Sequence, residues 1–140
     1  MANPIYPCLW FDGQAKAAAE FYCSVFKDSK ITADTPMVVN FELNGKKFMG
    51  LNGGPMFKFN ESVSFVVDCE NQEEIDYYWE KLVDGGSESQ CGWLKDKFGV
   101  SWQIVPTVLA KLLSNPDKAQ RVVQAFMKMK KFDIEKLVNA

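Results

Sequence analysis

Residues 62–106 read SVSFVVDCENQEEIDYYWEKLVDGGSESQCGWLKDKFGVSWQIVP, and this stretch decides the predicted fold. It opens at 62–68 with β-branched and aromatic side chains, which favour a strand. Residues 71–83 then place apolar side chains at helical spacing, with acidic side chains in the first turn, and predict a helix. Short strands are predicted after it at 88–91, 93–97 and 101–105. The predicted order is therefore one strand, one helix and three strands.

The same order of elements is predicted upstream of this stretch. Residues 5–11 are an aromatic-rich strand candidate, and residues 14–26 carry Ala and aromatic side chains on one helical stripe, with Asp12 as the predicted N-cap. Strands are then predicted at 30–33, 37–43 and 46–51. The dipeptide Asn44-Gly45 between the last two is a strong signal for a β-hairpin.

This duplication predicts an α+β fold in a single domain covering residues 1–140. Repeat one covers about 4–54, repeat two about 61–106, and residues 107–140 form a helical tail. Its helices are predicted at 107–113, 117–130 and 133–138. Because strands flank each helix in one sheet, we expect each βαβββ repeat to form a curved mixed half-barrel, and the two repeats to enclose a cleft.

Composition excludes several classes of function. The chain has 140 residues, a formal net charge of −2 and no histidine, so Ser-His, Cys-His and His-metal sites are excluded. Scattered lysines and a negative net charge argue against a nucleic-acid partner. From residues 1–10 and the hydropathy pattern we expect neither a secretory signal nor a membrane-spanning stretch. Its four cysteines lack C-x-x-C spacing, which favours reduced thiols and a cytoplasmic location.

Four segments are distinctive. They are LWFDG at 9–13 followed by EFY at 20–22, NGGP at 52–55, CGWLKD at 91–96, and FGVSWQIVP at 98–106. They resemble the PhnB-like branch of the glyoxalase/bleomycin-resistance/extradiol-dioxygenase superfamily, also called the vicinal oxygen chelate superfamily. The branch is also known as 3-demethylubiquinone-9 3-methyltransferase-like. The resemblance covers almost the whole chain and implies a homodimer.

Enzymes of that superfamily bind a divalent metal through four side chains, usually His, Gln or Glu. The resemblance carries these positions to Tyr6, Gly50, Ser62 and Gln103. Only Gln103 has a ligand-type side chain, and one neutral amide does not hold a divalent cation, so we expect neither metal nor cofactor. The methyltransferase name finds no support either, because no G-x-G turn lies between a strand and a helix.

Strand alternation predicts the residues that line the cleft, if the metal-equivalent positions point inward. The candidate ligand-binding residues are Tyr6, Cys8, Trp10, Asn52, Ser62, Ser64, Ser101 and Gln103. Phe48 and Gly50 are placed on the same inner face, whereas no lysine is, so Cys8 would lack an activating partner. Asp96 is expected in a solvated hairpin. An aromatic and hydroxyl lining suits a small, flat, weakly polar ligand, and the alternative is that these side chains fill a closed barrel.

Three functions therefore stay open. The first is a metal-free small-molecule binding protein. The second is an enzyme of the same superfamily with a metal-free acid/base site, in which Tyr6, Ser62, Ser64 and Gln103 would surround a polarised carbonyl. That mechanism needs a general acid or base with a suitably shifted pKa, and Tyr6 is the best candidate on the predicted inner face. The sequence therefore favours a binding protein over an enzyme. The third is a regulatory or structural dimer with a closed cleft.

Overall fold

The computed structural model describes residues 3–140, and they separate into two compact units, one that ends at Phe59 and one that covers Asn60–Ala140. Each unit contains one four-stranded sheet, with one parallel and two antiparallel strand pairs, and a helix packed against it. The predicted α+β class with two βαβββ repeats and a helical tail is confirmed. None of the helices in the described part of the chain has the length and apolar character needed to cross a membrane.

The first unit follows the predicted order of elements. Its elements are β1 (Cys8–Phe11), α1 (Ala15–Val25), β2 (Lys30–Asp34), β3 (Val38–Leu43) and β4 (Lys46–Asn52). The strands lie in the order β1-β4-β3-β2, so that β1 pairs in parallel with β4, and β2 forms an edge. The predicted hairpin between β3 and β4 is confirmed, since Asn44 and Gly45 have φ angles of 52° and 79°.

The core of the first unit lies between α1 and the sheet. The helix buries Ala15, Ala18, Ala19, Tyr22 and Val25, and it packs chiefly on β3 and β4. Small alanines allow this close approach, and the rings of Tyr22 and Phe41 stack at 6.2 Å between centroids. A side chain at Gly50 would meet Ala15, because its Cβ would lie 3.1 Å from the Cβ of Ala15.

The second unit repeats this plan and adds the tail. Its elements are β5 (Ser64–Cys69), α2 (Gln72–Val83), β6 (Ser87–Glu88), β7 (Trp93–Lys95), β8 (Ser101–Pro106), α3 (Val108–Leu113), α4 (Ala119–Phe126) and α5 (Ile134–Val138). The strand order is β5-β8-β7-β6, with β5 and β8 parallel. Asn71 begins α2 by accepting a hydrogen bond from Glu74 N at 2.9 Å. The helix buries Ile75, Trp79 and Leu82.

Two elements of the second unit end well before their predicted last residue. The strand predicted at 88–91 ends at Glu88, because Cys91 and Gly92 take positive φ angles of 58° and 82° and form a turn. The helix predicted at 117–130 ends at Phe126. The carbonyl groups of Met129 and Lys130 instead accept hydrogen bonds from the N–H groups of that turn, each at 2.8 Å.

Asp96 is buried, which corrects the expectation of a solvated hairpin. It is 2% exposed. Its Oδ1 accepts hydrogen bonds from Phe98 N at 2.8 Å and Val100 N at 3.1 Å, and its Oδ2 accepts one from Trp102 Nε1 at 2.8 Å. The carboxylate therefore organises the turn between β7 and β8, and the charge is balanced by donors instead of water.

Candidate functional site

The strand register separates each sheet into two faces. Residues paired directly across neighbouring strands share a face, because side chains alternate along each strand. In the first sheet, one face holds the buried side chains of β3, Val39, Phe41 and Leu43, and packs on α1. We use the term far face for the opposite side of each sheet, the side that does not pack on the helix of its repeat.

The far face of the first sheet is largely apolar around one amide. Cys8 pairs with Met49 and Trp10 pairs with Leu51, so these four residues share this face. Asn40 joins them because it also pairs with Met49. The whole row comprises Cys8, Trp10, Val38, Asn40, Glu42, Lys47, Met49 and Leu51.

The predicted alternation of β4 is wrong by one residue. Gly50 pairs with Leu9 and Asn52 pairs with Phe11, so Gly50, Asn52 and also Phe48 lie on the helix side of the sheet. The predicted pattern followed the metal-equivalent position Gly50, whereas the close packing of Ala15 fixes that position against α1. The face predicted for Asn52 is thereby corrected.

Asn52 holds the start of α1. Its Oδ1 accepts a hydrogen bond from Ala15 N at 2.9 Å, and its Nδ2 donates to Pro36 O at 3.0 Å. Gln14, at the N-cap position, makes no side-chain capping bond, so Asn52 takes the role predicted for Asp12. Both polar ends of Asn52 are thus engaged within the first unit.

Trp10 packs against the glycine-containing loop after β4. Its Nε1 donates to Gly54 O at 2.8 Å, and the ring of Phe57 meets it edge-on at 4.9 Å between centroids. A Cβ at Gly53 would collide with the indole, so this glycine is required by close approach. The aromatic pairing places Phe57, still 59% exposed, beside Trp10 at the edge of the far face.

Tyr6 and Cys8 precede Trp10 on the same side. The ammonium group of Lys47 lies 4.0 Å from the centroid of the Tyr6 ring, in a cation–π contact. Lys47 lies on the far face, which corrects the expectation that no lysine would be found there. Burial raises the pKa of the Cys8 thiol, so this residue is shifted away from a nucleophilic thiolate.

The far face of the second sheet carries hydroxyls and an amide. Ser64 pairs with Ser101, and Val66 pairs with Gln103, in agreement with the predicted alternation of these strands. The amide Nε2 of Gln103 donates to Ser64 Oγ at 2.9 Å. Three of the predicted site residues are therefore brought together here.

Ser62 lies outside this group. β5 begins at Ser64, and Ser62 is exposed in the preceding turn, where its backbone N–H and its hydroxyl both bond to Asn60 Oδ1. The second far face contains instead a lysine that the sequence reasoning missed. Lys95 pairs with Ser101, and its ammonium group contacts Glu61 Oε1 at 2.7 Å.

Each far face holds one buried polar atom that has no partner. Within residues 3–140, buried side-chain nitrogen or oxygen atoms without a hydrogen bond are Asn40 Oδ1 and Ser101 Oγ. Leaving such an atom unpaired costs about 1–3 kcal/mol. Asn40 was not among the predicted site residues, although it interrupts the apolar residues of β3 on the side opposite Val39 and Phe41.

The four metal-equivalent positions do not fit a divalent cation. Gly50 has no side chain and packs on Ala15, Ser62 bonds to Asn60, Tyr6 lies beside Lys47, and the Gln103 amide donates to Ser64. Among the residues described, no group of three or more His, Cys, Asp or Glu side chains could hold a metal ion. Hard divalent cations require several oxygen ligands, and this set does not provide them.

The fold also does not fit a Rossmann-type methyltransferase. Such an enzyme binds its cofactor at the edge of an open, mostly parallel sheet, beside a glycine-rich turn. Here each sheet contains a single parallel strand pair. The turn between β1 and α1 has one glycine, Gly13.

Comparisons with known proteins agree with the fold. Residues 3–105 match the family described as 3-demethylubiquinone-9 3-methyltransferase. A putative 3-demethylubiquinone-9 3-methyltransferase, PhnB protein, from Bacillus cereus is 32% identical, with a TM-score of 0.69 over 75% of this chain and 100% of that one. Among curated proteins, none matches this chain.

Two more distant structures share the fold alone. The fosfomycin resistance protein FosX from Listeria monocytogenes, solved with Mn(II) and sulfate, is 14% identical, with a TM-score of 0.60 over 81% of this chain and 97% of that one. A glyoxalase-related enzyme from Fulvimarina pelagi is 17% identical, with a TM-score of 0.58 over 78% of this chain and 91% of that one.

Proposed function

This chain belongs to the PhnB-like family described as 3-demethylubiquinone-9 3-methyltransferase, within the glyoxalase/vicinal oxygen chelate superfamily, and from this premise we propose that it binds a small molecule without a metal ion. The ligand is small, flat and weakly polar. Side chains on the far face of a sheet hold it, and no methyl transfer is proposed. The ligand-binding residues proposed are Tyr6, Cys8, Trp10 and Asn40 in the first unit and Ser64, Ser101 and Gln103 in the second.

The pair of unpartnered buried atoms carries this proposal. Asn40 Oδ1 and Ser101 Oγ occupy the far faces of different units, and neither finds a partner in the described chain. On the first far face a ligand could supply a donor to the amide, and on the second far face a ligand could supply an acceptor to the hydroxyl. Either contact would recover the cost of leaving that atom unpaired. Trp10, Met49 and Leu51 share this face with Asn40 and provide apolar side chains of the kind that line binding pockets.

Thermal stabilisation tests this proposal. We would screen aromatic and dicarbonyl compounds together with Mn²⁺, Ni²⁺ and Zn²⁺, using wild-type protein, Gln103→Leu and the matched control Gln90→Leu. Gln90 is exposed and lies between β6 and β7, outside the strands, so its change removes an amide that does not belong to the rows of the far face. We expect an organic compound to raise the melting temperature of wild type and Gln90→Leu, and to raise that of Gln103→Leu less.

Two results would contradict the proposal. Stabilisation by a divalent metal that disappears in Gln103→Leu would show that this amide belongs to a metal site. Equal stabilisation of all three proteins by every active organic compound would show that the ligand binds away from Gln103.

We also propose that the protein works as a homodimer in the cytoplasm. The resemblance supports the dimer, and partial exposure of Tyr77, at 40%, leaves an aromatic edge of α2 uncovered. The described cysteines are all free thiols, which supports a reducing compartment. Light scattering after size-exclusion chromatography would test the dimer, and a monomer across micromolar concentrations would contradict it.

A further inference from the structure

Ser64, Ser101 and Lys95 form one transverse row on the far face of the second sheet. Ser64 pairs with Ser101 across β5 and β8, and Ser101 pairs with Lys95 across β8 and β7. We call these three residues the serine–lysine row. Neighbouring strands lie about 4.8 Å apart, so the row places three polar groups within reach of one small molecule.

The row is a set of hydrogen-bond donors. Ser64 Oγ accepts from Gln103 Nε2, so its own O–H stays available to donate. Ser101 is 1% exposed, and its Oγ has no partner in the described chain. Lys95 adds an ammonium group, which has only donors. Two hydroxyl donors beside a cation match the acceptor oxygens of an anion.

A carboxylate of the same unit already forms an ion pair with the lysine of this row. Glu61, in the turn before β5, binds Lys95 at 2.7 Å. Because β8 lies between β5 and β7, this ion pair bridges the start of β8, where Ser101 lies. The carboxyl side chain of Glu61 is 64% exposed, so the pair can open toward solvent at small cost.

We propose that the serine–lysine row binds the anionic oxygen group of the small-molecule ligand, and that this group displaces Glu61 from Lys95. The inference rests on the proposed function and refines it: the flat, weakly polar body of that ligand carries one anionic group, a carboxylate or a phosphonate. Ser101 then gains the acceptor that residues 3–140 do not supply, and Ser64 donates beside it.

Calorimetric titration of the full chain with three probes tests this inference. Benzoate and phenylphosphonate carry the anion, and benzamide is a neutral probe of the same shape as benzoate. We expect at least one anion to bind more tightly than benzamide, and the stronger of the two identifies the anionic group. Loss of one charge-assisted contact in Lys95→Met should weaken its binding about tenfold or more.

Two further variants and a control separate binding from folding. Lys111→Met removes a lysine of the same unit whose side chain is exposed on α3, and it should leave binding unchanged. Ser101→Ala should weaken anion binding without lowering the melting temperature of the free protein. Glu61→Gln should strengthen it about two- to fivefold, because the competing carboxylate is gone, and misfolding does not produce such a gain.

The outcomes distinguish this inference from the proposed function. If benzamide binds with the same affinity as the anions and Lys95→Met has no effect, the inference is overturned. The proposed function would then remain, with a neutral ligand. Failure of all three probes would also overturn it, whereas the proposed function is judged on the broader compound screen. Equal weakening by Lys95→Met and Lys111→Met would show attraction by net charge alone and would overturn the role of the row.

Discussion

Replacing Asp96 with Asn should destabilise the second unit strongly, although it changes only one atom of the side chain into an amide nitrogen. The carboxylate accepts hydrogen bonds from Phe98 N, Val100 N and Trp102 Nε1. An amide keeps one acceptor oxygen, but its nitrogen carries two N–H donors. That nitrogen would face an N–H donor that the carboxylate had accepted from. If the oxygen stays on the backbone groups, the buried Trp102 indole loses its hydrogen bond to Oδ2.

The expected cost follows from these contacts. Loss of a hydrogen bond to a charged group costs about 1.5–3 kcal/mol, and an unpaired buried donor costs about 1–3 kcal/mol. Because the two terms overlap, we expect a loss of about 3 kcal/mol in the free energy of unfolding. At about 2–4 °C per kcal/mol for a chain of this size, the melting temperature should fall by about 6–12 °C.

Urea unfolding followed by tryptophan fluorescence would measure this loss. Asp117→Asn is the matched control, because Asp117 is exposed and its change removes the same charge. The control should stay within about 0.5 kcal/mol of wild type. An Asp96→Asn protein as stable as the control would refute the reasoning that this carboxylate holds the β7–β8 turn.

Three further predictions concern other parts of the chain. Gly53→Ala should lower the melting temperature, as measured by calorimetry, because the new Cβ collides with Trp10; an unchanged value would contradict that packing. Lys95 lowers the pKa of Glu61, so the stability from this pair is present above the unfolded-state pKa and lost as pH falls through the folded one. An NMR titration should show that Lys95→Met raises the Glu61 pKa, and no change would count against the ion pair. Burial raises the pKa of Cys69 to about 12, so iodoacetamide at pH 8 should leave Cys69 unmodified in the folded protein, and rapid alkylation would contradict its burial.

The order of elements could be predicted because its signals are local. The apolar stripes of α1 and α2 and the Asn44-Gly45 hairpin depend only on nearby residues, and the structure confirms them. The helix predicted to continue to residue 130 failed for a non-local reason. Its last residues bond to the turn at Cys91 and Gly92, which lies far away in the sequence.

The face on which a candidate residue lies was predicted correctly where alternation within a strand decides it. It was predicted wrongly where the register between strands decides it. Ser64, Ser101 and Gln103 were correctly grouped, because β5 and β8 each show clear alternation. Asn52 was given the wrong face, since the register between β1 and β4 is set by packing of Gly50 on α1. Lys95 was missed because its pairing with Ser101 depends on the length of the turn between β7 and β8. That pairing places Lys95 on the same face as Ser101.

Asn40 could also have been predicted from the sequence as a residue of the far face. A polar side chain at the centre of an otherwise alternating strand is a readable signal, and Val39 and Phe41 identify the opposite side as the core. Its missing hydrogen-bond partner, by contrast, depends on every neighbouring strand and becomes evident only in three dimensions.

The most direct test of ligand binding at the far faces is an NMR titration of the ¹⁵N-labelled chain with each stabilising compound. The side-chain amides of Asn40 and Gln103 and the indole N–H of Trp10 give separate signals on these faces. We predict that a binding compound shifts the Gln103 or Asn40 amide in a saturable way, while the exposed Gln90 amide stays fixed. Saturable binding that leaves both far-face amides unchanged would contradict the account.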